Sequence, residues 1–254
     1  MATSDDAEDM DHITILGFGS LLSEKSSRTT FPTLKNFRLG KVLDHRRVFA
    51  HPASIFFQRQ IAKPETLEFA SLSVEPKEGS SMICSVFEVP NEGLSAADAP
   101  SDKFVPSQTF LEREEEFEIT KVRYEELGSC GDKAIVVKEG VICRRSSDAA
   151  YIKRWGQKRF QENYLDYGIK TIWGWEKSIR PCPVYLRHCV LAAWNCDSEE
   201  SWSQDGIGGG ACYNSFLDET FLVDRVTTLR EYLRRYPEVM ATEPPANLKD
   251  RYGG

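Results

Sequence analysis

Through the first half of the chain, apolar positions come in short runs or alternate with polar ones, and this pattern predicts several strands before any clear helix. Ile13 to Leu16 is an apolar run that breaks at Gly17-Phe18-Gly19-Ser20, a strand entering a tight turn. Leu39 to Phe49, Ala53 to Phe57 and Leu67 to Glu75 read as extended, and Ser81 to Val89 is rich in β-favouring residues and stops at Pro90. Residues 91–106 set Asn91, Gly93, Pro100 and Pro106 among small polar residues, the composition of a surface loop. Ser107 can cap a helix from Thr109 to about Glu116, with Phe110, Leu111 and Phe117 on one face and Glu114 inside that face. Phe117 to Val122 alternates as a strand, and Ala134–Val137 with Val141–Cys143 predicts a hairpin around Glu139-Gly140.

The second half turns helical. Ser146 or Ser147 before Asp148 predicts a helix to Tyr167, stopped by Gly168, with Ile152, Trp155, Phe160 and Tyr164 on one side and Lys153, Arg154, Lys158 and Arg159 flanking them. Such a mixture can stack on RNA bases, but a buried aromatic face beside a solvated basic one is the simpler reading for an acidic chain, and RNA is set aside. Pro183 to Asn195 predicts a helix, Asp205 to Gly210 a glycine-rich loop, and Leu222, Val226, Leu229, Leu233 and Tyr236 a last helix ending at Pro237. Residues 1–12 read as a disordered acidic tail, 13–237 as one domain with an extension from about 126, and 238–254 as a loose tail. No repeat of 20–50 residues is present.

Composition narrows the function classes. The 254 residues, 41% hydrophobic and 28% charged, suit a folded globular chain. Of the net charge of −7, five negative charges fall at Asp5, Asp6, Glu8, Asp9 and Asp11, so the body is nearly neutral and offers no basic footprint for nucleic acid. No window reaches the ~18 apolar residues of a membrane span, and the acidic start is unlike an export or import leader, so no membrane partner and a cytoplasmic location are expected. Seven cysteines, an odd number without C-x-x-C, predict free thiols, and the lack of close Cys or His pairs predicts no metal site. Cys182, Cys189 and Cys196 recur every seven residues and would stack on one helical face as small buried hydrophobes.

Two features carry chemistry. After the first strand, Gly17-Phe18-Gly19-Ser20-Leu21-Leu22 puts Leu22 where a dinucleotide fingerprint needs its third glycine, so that reading fails. The same turn can instead offer successive backbone N–H groups to a small carboxylate. The second feature is Glu114, whose place among apolar neighbours would desolvate it and raise its pKa toward the range of a general base. Glu112, Glu115 and Glu116 around it form what is ordinarily a solvated charge run.

Phe18-Gly19-Ser20-Leu21, the strand Ile83 to Val89, Leu111-Glu112-Arg113-Glu114-Glu115-Glu116-Phe117, and Tyr213-Asn214-Ser215-Phe216-Leu217 together resemble the γ-glutamylcyclotransferase-like superfamily, with its glutathione-acting ChaC-type branch nearest. The resemblance covers roughly residues 13–125 and, faintly, 183–235. Phe18 stands where the family's Tyr-Gly-Ser-Leu motif has tyrosine, and Ser85 where a glycine is usual. The resemblance implies an α+β fold, a small bent mixed β-barrel with surrounding helices, here with a C-terminal helical extension. It also implies an enzyme without metal or cofactor that converts a small γ-glutamyl compound to 5-oxoproline. Phe18, Gly19, Ser20 and Leu21 would bind substrate. The catalytic Glu maps to Glu114 through the Arg-Glu pair and to Glu115 by distance from Leu111, and the helical face favours Glu114. The alternative is a non-catalytic binding or interaction protein on the same barrel. The missing hydroxyl at Phe18 and the tryptophans at 155, 173, 175, 194 and 202, all beyond the matched core, point that way.

Overall fold

The computed structural model describes residues 12–90, 108–127, 136–196 and 210–253. Strand β1 (His12–Gly17) is short, whereas β2 (Lys35–Pro52) and β3 (Glu68–Pro90) are long and bent, merging runs that look separate in the sequence. With β4 (Glu118–Glu126) and β5 (Val137–Arg144) they form a ring. β1 pairs with β3, β3 with β2, β2 with β4 and β4 with β5, all antiparallel, and β5 returns to β1 in parallel. This is a closed five-stranded mixed β-barrel with helices around it, the α+β class expected. The short strands β6 (Arg180–Pro181) and β7 (Thr220–Leu222) add in parallel to β3 and β2.

The bend of the long strands has a local cause. The β2–β3 register shifts between Leu43 and His45, where Asp44 takes a φ of 54° and its carboxylate accepts the Gly79 N–H at 3.1 Å. Leu16, Val42, Met82, Val122 and Ile142, one from each strand, belong to one buried cluster of the barrel. Gly140 corrects the hairpin expectation: Glu139-Gly140 lies within β5, opposite Arg123 and Val122, not at a turn. A Cβ at Gly140 would stand 2.8 Å from the Leu16 side chain, so this glycine marks a close approach of two strands.

Helices α1 (Glu24–Thr30), α2 (Ser54–Gln58), α3 (Gln108–Arg113), α4 (Asp148–Trp155), α5 (Gln157–Asn163), α6 (Pro183–Cys196), α7 (Ala211–Asp218), α8 (Leu229–Arg235) and α9 (Lys249–Tyr252) complete the description. Ala53 to Phe57, expected extended, is mostly helix, with Phe56 and Phe57 buried in different clusters. The single helix expected to reach Tyr167 breaks at Gly156, whose φ of 87° no helix accommodates, although Ser147 does cap it by accepting the Ala150 N–H at 3.1 Å. The last helix starts at Leu229 instead of Leu222, set by a capping box of Thr228 and Glu231. The acidic tail, the loop at 91–106, most of the glycine-rich loop and Trp202 lie outside the described residues.

The largest core fills the space between the outer faces of β2 and β3 and the later helices, with Phe49, Phe69, Trp173, Leu186 and Phe216 among its buried members. Trp155 and Trp175 pack against it. Arg47 on β2 is fully buried: it donates to Ser215 Oγ at 2.8 Å and to the Ile83 carbonyl at 3.2 Å, with its guanidinium 5.0 Å from the Phe216 ring centre. It therefore ties α7 to the barrel. Cys182 and Cys189, on the N-terminal flank of α6 and on α6 itself, are fully buried, and Cys84, Cys143, Cys182 and Cys189 are free thiols. No described helix is long and apolar enough to cross a membrane.

Candidate active site

The turn after β1 is built by close packing. A Cβ on Gly17 would lie 2.4 Å from Ser85 Oγ and 2.6 Å from Leu21 Cβ, so only glycine lets the chain double back there. The Leu21 carbonyl accepts from both Ser85 Oγ and Ser27 Oγ, each at 2.7 Å, and the Leu22 N–H donates to Gly19 O at 3.0 Å to close a 3-10 turn, Ser20–Leu22. Ser85, unusual for the motif, thus clamps the turn from β3. The Ser20 N–H faces the Cys189 sulfur, and the N–H groups of Ser20 and Leu21 donate to no oxygen among the described residues. Gly17→Ala is expected to destabilise the fold by ~1–3 kcal/mol through overpacking. Denaturant unfolding checks this, and an unchanged midpoint would mean the turn is loose.

The acidic run adopts a turn, not the expected helix. α3 stops at Arg113, and the Phe117 N–H donates to Glu114 O at 3.0 Å, since consecutive carboxylates at a helix C-terminus oppose its dipole. The turn sends its side chains to different partners. Glu115 accepts from Ser54 Oγ at 2.8 Å, from Asn163 Nδ2 at 3.0 Å and from Arg159, with which it pairs at 2.6 Å. Glu116 Oε1 accepts from the Tyr164 hydroxyl at 2.6 Å and the Ser54 N–H at 3.0 Å. Both residues are only 6% exposed, so this run is no solvated face. Its scaffold is the α4–α5 pair: Trp155 Nε1 donates to Glu115 O and Arg154 Nη1 to Phe117 O, each at 3.0 Å. Arg154 and Arg159 of that pair therefore serve the acidic turn, while Lys158 pairs with Glu162 on the surface.

Glu114 takes a third direction. Among the described residues its one ion pair is with its neighbour Arg113, at 3.3 Å, and a fifth of its side chain stays exposed. It lines a cavity of ≈ 380 Å³ together with Phe18, Gly19, Ser20, Leu21 and Glu116. The sequence-derived candidates thus share one cavity, except Glu115, which lines a neighbouring one. Burial raises the Glu114 pKa against the pull of Arg113 and Arg251. Burial, joined by the charge of Glu115, pushes Glu116 up to about 7 despite its two hydrogen bonds.

Three cavity residues were not legible as such in the sequence. Glu116 hides in its charge run. Tyr185 on α6 puts its hydroxyl 3.2 Å from where a Cβ on Gly19 would stand, and burial holds its pKa well above the ordinary tyrosine value, so it is an O–H donor beside the turn. Arg251 lies in the supposed loose tail, which instead folds: Tyr252 is 3% exposed, packed with Phe56, Ile61, Cys182 and Val184. Among the described residues no three His, Cys, Asp or Glu side chains converge as a metal site would require.

No protein-family model matches this chain, and no curated protein does. Solved structures that align with it include one described as a gamma-glutamyl cyclotransferase, at 10% identity over 60% of this chain and 85% of that one, with a TM-score of 0.34. An uncharacterized protein from Homo sapiens aligns at 12% identity over 60% of this chain and 85% of its own, with a TM-score of 0.34. A yeast gamma glutamyl cyclotransferase specific to glutathione aligns at 11% identity over 95% of this chain and 92% of its own, with a TM-score of 0.35.

Proposed function

We propose that this chain is a cytosolic cyclotransferase that converts a γ-glutamyl compound to 5-oxoproline and a free amine. The observation that carries the reading is the convergence in one cavity of a glycine turn, whose Ser20 and Leu21 amides donate to no oxygen among the described residues, and a carboxylate whose pKa is raised by burial. The substrate α-carboxylate sits at the amides of Ser20 and Leu21, where oriented N–H dipoles favour negative charge. The neutral α-amine attacks the γ-carbonyl carbon as Glu114 takes one proton from the attacking nitrogen. The amide C–N bond breaks, and the same carboxyl returns its proton to the departing nitrogen. One bond forms and one breaks, without water, metal or cofactor. Fixing the α-carboxylate holds the amine against the carbonyl, so ring closure proceeds as an oriented intramolecular step.

Phe18, which lacks the hydroxyl of the family motif, lines the cavity and packs against both the barrel cluster and the main core. The Tyr185 hydroxyl, hydrogen-bonded to Cys189, lies beside Gly19 at the same end of the cavity. Purified protein incubated with glutathione, γ-glutamyl amino acids and γ-glutamyl amines is expected to release 5-oxoproline, read by mass spectrometry. If none of the panel yields product above the uncatalysed background, the catalytic reading fails and a binding role for the cavity remains.

A further inference from the structure

The C-terminal segment is built into the cavity wall. Its 3-10 turn Pro237–Ala241 and α9 are held by Arg187 on α6, which donates to Met240 O at 3.1 Å, and Tyr252 meets the His188 ring edge-on at 5.7 Å between centres. This anchoring delivers Arg251 to the cavity that holds Glu114 and the Gly19 turn. Arg251 also lines the neighbouring cavity of ≈ 640 Å³, so it stands where the two adjoin.

The two arginines of the first cavity differ in what they have left to offer. Arg113 is engaged by Glu114, donates to Thr30 Oγ1 at 3.0 Å and lies 5.0 Å from the Phe31 ring centre. Arg251 makes no ion pair or hydrogen bond among the described residues, and its guanidinium only leans toward the Tyr252 ring at 5.7 Å. The Arg251 side chain is solvent-exposed at the rim of both cavities, within electrostatic reach of Glu114 and His188. The turn amides serve one carboxylate, and Arg251 is a separate cation available to a second.

Building on the cyclotransferase reading, we infer that Arg251 is a specificity-determining residue that pairs with a carboxylate on the leaving amine, at the entrance to the second cavity. γ-Glutamyl compounds with an acidic leaving amine are then preferred over those with an alkyl one. The matched pair γ-glutamylglycine and γ-glutamylethylamide differs at that position by little more than the carboxylate.

Calorimetric binding and 5-oxoproline kinetics with both compounds, on wild type, Arg251→Met and Arg251→Lys, test this. Wild type should favour γ-glutamylglycine by roughly tenfold in Kd and KM, as a charge-assisted hydrogen bond supplies. Arg251→Met should weaken that compound by the same factor while leaving γ-glutamylethylamide within about twofold and kcat unchanged, and Arg251→Lys should restore part of the preference. An equal loss on both compounds, an unchanged preference, or wild type that binds neither overturns the assignment. If both bind with this pattern but neither is turned over, the cyclotransferase reading fails while the role of Arg251 in binding stands.

Discussion

Glu114→Gln is expected to lower 5-oxoproline formation by ~10²–10⁴-fold, the range for loss of a general acid–base group. The amide keeps the size of the carboxylate and its place in the cavity but cannot take the proton of the substrate amine. Stability should hardly change, because the Arg113–Glu114 contact is partly exposed and such pairs contribute only ~0–1 kcal/mol. KM should stay within a few-fold, since the substrate is held at the turn amides and not by Glu114. Glu115→Gln gives the opposite signature: it removes the partner of Arg159 and weakens the packing of the acidic turn, lowering the unfolding midpoint while leaving the rate per folded molecule close to wild type. Steady-state kinetics and thermal unfolding on the two variants separate these outcomes. A fast Glu114→Gln alongside a slow Glu116→Gln would transfer the proton-carrying role to Glu116, and full activity in both would remove the acidic turn from catalysis.

The strands and the first-strand turn were legible because local pattern decides them. Ile13 to Leu16 followed by glycines is β1 and its turn, and the runs around Phe49, Leu72 and Val86 lie in β2 and β3 as continuous buried stretches. What the pattern could not supply was long-range pairing. Gly140 signals a turn in isolation and is a strand glycine only because Leu16, more than a hundred residues away, occupies the space beside it. The candidate site divides the same way. Gly19, Ser20 and Leu21 line one cavity with Glu114, and Glu114 lies in the turn that follows α3, not on the face of the expected helix. Glu115 and Glu116 looked solvated because charged runs ordinarily are, and they are buried because Ser54, Tyr164, Arg159 and Asn163 arrive from distant segments to satisfy them. Tyr185 and Arg251 carry no local signal at all, because each reaches the cavity only through the packing of α6 and α9.

Glu116→Gln is expected to flatten a pH dependence that Glu116 imposes on the fold. Burial moves this carboxyl from 4.5 in the unfolded chain to about 7 in the native state, with the charge of Glu115 adding to the shift. Between these values the native protein holds a proton that the unfolded chain has released, so stability falls as pH rises through the window and levels off above 7. At ~1.4 kcal/mol per pH unit the full effect is of the order of 3 kcal/mol, an upper bound that structural relaxation reduces. Glutamine keeps an oxygen for the Tyr164 hydroxyl and the Ser54 N–H but carries no charge to desolvate. The variant should therefore match wild type at pH 4.5 and exceed it by up to ~3 kcal/mol at pH 8, measured by urea unfolding across that range. Glu115→Gln adds a check on cause: removing the neighbouring charge should move the wild-type transition to lower pH, because the two carboxylates titrate as a coupled pair. Wild type and Glu116→Gln curves that run parallel from pH 4.5 to 8 would mean that Glu116 ionises in the native state as it does in the unfolded chain.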